Sequence, residues 1–118
     1  TILGSERFGT SEERLKNIWN YKDSSAFSKS EKAALSFAFA ASTVPNSVSK
    51  EIIVDLKEHW SDPDIVEIMA VISLFGYLNR WNDSMRSTLE DLPINAANRY
   101  LKDSTDWVAG KHKYEHDE

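Results

Sequence analysis

The twelve residues Ile68 to Asn79, IMAVISLFGYLN, contain no charge, and RWND follows at once. This run constrains the fold more than any other feature. It is too short to span a bilayer, which takes about twenty apolar residues. It sits inside a longer helical pattern, predicted from about Pro63 to about Arg86, with apolar residues on nearly every side. A helix of that kind is buried all round. A chain of 118 residues has little else to wrap around it, so a partner subunit is expected to complete the burial.

Helix signals are dense elsewhere and strand signals nearly absent. Thr10-Ser-Glu-Glu13 reads as a capping box, in which a hydroxyl and a carboxylate satisfy free backbone donors reciprocally. Leu15, Ile18 and Trp19 follow at one-face spacing, and this first helix should fade near Tyr21 to Ser25. Ser28-Lys-Ser-Glu31 is a second capping box. It opens an alanine-rich helix that Val44-Pro45-Asn46 stops. Ser49 caps a third helix, roughly Lys50 to Trp60. Ser61 or Asp62 caps the fourth, with Pro63 suited to its first turn. Leu92-Pro93 opens a last short helix near Ile94 to Leu101. The fold class is therefore all-α, about five helices and no sheet, in a single domain over 1–118 with a polar tail at 111–118. Ile2, Leu3 and Phe8 read as the last turn of a helix that began before Thr1, with Gly9 as its stop. The missing initiator Met fits a processed or trimmed piece of something longer.

Charge and composition exclude several classes of function. The net charge is −5 and the basic residues are scattered. That argues against a nucleic-acid surface, which needs a basic stripe, and against an anionic membrane surface. No cysteine is present, so the chain itself holds no disulfide, thiol redox couple or thiolate-bound metal. A reducing cytoplasm needs no such staples, and the expected location is cytoplasmic.

Four segments, in order, carry a family resemblance: SEERL, then FSKSEKAAL at 27–35, then SDPDIVEIMAVISLFGYLNRWND at 61–83, and DWVAGKHK at 106–113. Together they resemble an alkylhydroperoxidase D-like, or carboxymuconolactone decarboxylase-like, domain over about residues 1–113. The resemblance implies an orthogonally packed helical bundle that assembles as a dimer, trimer or hexamer. It also implies thiol-dependent peroxide reduction, performed by a Glu, a Cys-x-x-Cys pair and a His on a helix upstream of the TILGSERFG stretch. None of those positions occurs in these 118 residues, so no catalytic residue is assigned. A dithiol cycle needs a thiolate nucleophile, and this chain supplies none. The alternative is a non-enzymatic helical module for oligomerisation or small-ligand binding.

The remaining candidates are weighed on their own chemistry. Arg80, at the end of the long helix, needs an acceptor if it is buried. Glu67 is thirteen positions away, about 20 Å along the axis. Glu31 is the expected partner, and the family pattern supports an ion pair between helices, with Asn79 and Asn82 completing hydrogen bonds. The other role for Arg80 is to bind a substrate carboxylate. Trp60, Tyr77, Asn79 and Trp81 are candidate cavity-lining residues, with core or subunit interface as the plainer alternative for the aromatics. His112 and His116 have metal-ligand spacing on a helix but lack a third ligand. His59, at the end of a helix, reads as a favourable charge for the dipole rather than a base. No metal and no cofactor are expected.

Overall fold

The computed structural model describes residues 9–88, 90–102 and 108. The segment before Gly9 and the tail at 111–118, with His112 and His116, lie outside the described residues. Among the described residues there are five α-helices, one 3-10 turn and no strand. They are α1 (Glu12–Lys16), a 3-10 turn (Ile18–Asn20), α2 (Lys29–Ala41), α3 (Lys50–His59), α4 (Asp62–Met85) and α5 (Asp91–Tyr100).

Local chemistry sets most of the helix starts. Ser28 Oγ accepts the Glu31 N–H at 3.2 Å while a Glu31 carboxylate oxygen accepts the Ser28 N–H at 2.8 Å, so the second capping box forms as expected. Ser49 Oγ accepts the Ile52 N–H at 3.2 Å. At α4, Asp64 accepts from the Ser61 N–H and hydroxyl, and Ser61 Oγ accepts the Asp64 N–H, so Ser61 is the cap. The first box differs from expectation by one residue. The cap of α1 is Ser11, which accepts the Arg14 N–H at 3.3 Å. That helix ends at Lys16, because the Asn17 side chain donates to the Glu13 carbonyl at 2.8 Å and the chain tightens into the 3-10 turn. Trp19 consequently leaves the buried face and is exposed. The α5 helix starts earlier than expected, at Asp91, with Pro93 inside its first turn, where a missing N–H costs nothing.

The chain's contacts fall into two compact units, and the division lies within α4 between Trp81 and Asn82. In the unit Tyr21–Trp81, α2 packs on α3. Its core holds Tyr21, Phe27, Ala33, Phe37, Ala40 and Leu56, with Leu56 fully buried. Ala33 and Ala40 present little more than a methyl on one side of α2, which lets another element approach closely. The loop before α2 folds back onto it. The Tyr21 ring stacks on Phe39 at 5.4 Å, its hydroxyl lies 2.8 Å from Ser36 Oγ, and Lys32 Nζ donates to the Lys22 carbonyl at 2.9 Å. In the other unit, Leu15 of α1 and Ala96 and Tyr100 of α5 are buried. There Arg99 reaches Glu12 at 3.8 Å and lies over the Tyr100 ring at 5.2 Å.

The long helix departs from the expectation of all-round burial. It has no buried residue within this chain. Only Ile65, Ile68 and Ile72 reach intermediate burial. Within the unit Tyr21–Trp81, α2 and α3 pack on each other, and only the isoleucine side of α4 is partly covered. No helix among the described residues is long and apolar enough to cross a membrane.

Candidate functional site

Ile65, Ile68 and Ile72 form one stripe along α4, spaced three and four residues apart, so they share a face. The opposite face carries Val66, Ala70, Leu74, Tyr77 and Trp81, all exposed. Tyr77 and Trp81 are one turn apart, and their ring centroids lie 6.3 Å from each other at a 38° tilt. Arg80 flanks them and Asn79 lies on the isoleucine side, and both are exposed. The helix ends cleanly after Met85. Arg86 takes a left-handed φ of 52°, and the Ser87 N–H donates to the Asn82 carbonyl at 3.1 Å, which is the Schellman pattern of helix termination.

The four candidate cavity residues are not equivalent. Trp60 has a structural task. Its indole N–H donates to the Ser30 carbonyl at 2.9 Å, tying the end of α3 to the first turn of α2. Tyr77 and Trp81 belong to an open helix face, whereas Asn79 falls on the isoleucine side of the same helix. Among the described residues no ion pair joins Glu31 to Arg80; a Glu31 oxygen accepts the Ser28 N–H, and Arg80 is exposed. The capping box holds the Glu31 carboxylate at the start of its own helix. An exposed guanidinium is solvated by water and needs no protein acceptor.

One polar cluster has a spacing that the sequence reading did not combine. Asp55, Glu58 and His59 occupy positions i, i+3 and i+4 of α3, and their ligand atoms all lie within 4.8 Å of one another. His59 Nε2 is 3.8 Å from Asp55 Oδ1. Each of the three is exposed, and Asp55 and Glu58 also edge an open groove of about 350 Å³ with Lys50, Glu51 and Val54. The signal was the D-x-x-E-H order in a helical window. Full exposure of the group makes it a solvated helix face rather than a built cage.

Two carboxylates are held below their ordinary range. Glu12 is lowered by a hydrogen bond from Lys16 and by the charges of Lys16 and Arg99. Lys16 Nζ sits 2.9 Å from it. Glu51, in the first turn of α3, is lowered by backbone and Ser49 hydrogen bonds. Neither group lies on the exposed face of α4.

No family model matches the chain. An uncharacterized Escherichia coli (strain K12) protein, YnjA, is 32% identical over 81 residues, covering 69% of this chain and 44% of YnjA. Among solved structures, the debrominase Bmp8 in its apo form aligns with a TM-score of 0.75 at 33% identity, covering 80% of this chain and 50% of Bmp8. A cysteine-to-alanine variant of Bmp8 in complex with 2,3,4-tribromopyrrole aligns with a TM-score of 0.77 at 32% identity, covering 81% and 51%. The chain thus spans about half the length of the proteins it matches. The backbone of about four-fifths of this chain is similar to about half of the debrominase Bmp8.

Proposed function

We propose that this chain is the helical scaffold of a carboxymuconolactone decarboxylase/alkylhydroperoxidase D-like protein. In this reading it works as a homo-oligomer in the cytoplasm, and its thiol chemistry is supplied by polypeptide outside these 118 residues. The observation that carries the reading is the agreement in both fold and sequence with Bmp8 over four-fifths of the chain. The order of the family-like segments, from SEERL to RWND, supports it further.

The reaction class follows from the same source. Family members reduce peroxides with a dithiol: the peroxide O–O bond breaks, the two thiols become a disulfide, and an alcohol and water leave. Debromination, the activity named for Bmp8, whose cysteine-to-alanine variant binds 2,3,4-tribromopyrrole, is a second candidate. These 118 residues contain no cysteine, so the dithiol reaction does not run on them alone. Their role is to hold the surroundings of the thiols in place. Tyr77 and Trp81, with Arg80 beside them, are the residues of α4 best suited to face an aromatic or carboxylate-bearing substrate.

The test is the encoded reading frame, followed by an assay. A Cys-x-x-Cys upstream of Thr1, with peroxide consumption or bromide release by the full-length product and none by residues 1–118, is the expected result. A frame without upstream cysteines overturns the enzymatic reading. It would leave the second reading, a non-enzymatic module for oligomerisation or small-ligand binding, which the open aromatic face of α4 favours.

A further inference from the structure

We draw no further inference here: the strongest candidate, the exposed cluster of Asp55, Glu58 and His59 on α3 beside its open groove, is a set of solvated side chains on one helix face, and nothing else among the described residues points to a ligand there.

Discussion

Leu56→Ala tests the packing on which everything else in its unit depends. Leu56 has no exposed surface, and it lies on α3, the helix packed against α2. The substitution removes three buried carbon atoms, worth roughly 2.4 kcal/mol at ~0.8 kcal/mol each. The surrounding residues cannot fully collapse into the space, so the cavity left behind raises the expected loss to about 3–4 kcal/mol. A chain of this length has a total stability of only about 6–18 kcal/mol. With a urea slope of ~2 kcal/mol/M, the unfolding midpoint should fall by about 1.5–2 M. The assay is urea unfolding followed by helical circular dichroism at fixed protein concentration. Val54→Ala on the same helix is the control. Val54 is 49% exposed, and its replacement should change stability by less than about 0.5 kcal/mol. A Leu56→Ala loss below ~1 kcal/mol, or one no larger than the control's, would refute the argument that the α2–α3 contact is the core of this unit.

Three further outcomes are expected. Trp60→Phe keeps most of the apolar contact but leaves the Ser30 carbonyl without its 2.9 Å donor, at a cost of about 1 kcal/mol measured by the same unfolding assay. Glu31→Ala removes one arm of the α2 capping box, whereas Arg80→Ala removes only an exposed charge. A double-mutant cycle should therefore show coupling below about 0.5 kcal/mol, and a coupling above ~1 kcal/mol would reinstate an ion pair between the helices. The folded-state pKa of Glu51 is lowered from 4.5, so its contribution to stability is fully present above that value and is lost as pH falls through the lowered one. Replacing Glu51 with Gln should flatten the acid side of the stability profile below pH 4.5 without altering the slope above it.

The sequence by itself determined where α2, α3 and α4 begin, because their caps are local, whereas α5 starts without a side-chain cap and earlier than expected. Ser28, Ser49 and Ser61 each meet a backbone N–H three residues ahead, a distance that the chain itself fixes. The one-residue error at Thr10 and Ser11 is of the same local kind: two adjacent hydroxyls compete for one cap, and only the geometry selects Ser11. The lack of charge in Ile68–Asn79 marked α4 as apolar, but the all-round burial expected from it is not met within this chain, where α4 has no buried residue. Periodicity reports which residues are apolar, not which of them meet an element of the same chain. Tertiary packing decided that Ile65, Ile68 and Ile72 reach partial burial while Tyr77 and Trp81 face outward. It likewise gave the Trp60 indole to a carbonyl thirty residues away. Spacing within one helix is fixed by a rise of 1.5 Å and a turn of 3.6 residues. Distance between helices is set by the whole core, and no short stretch of sequence contains it.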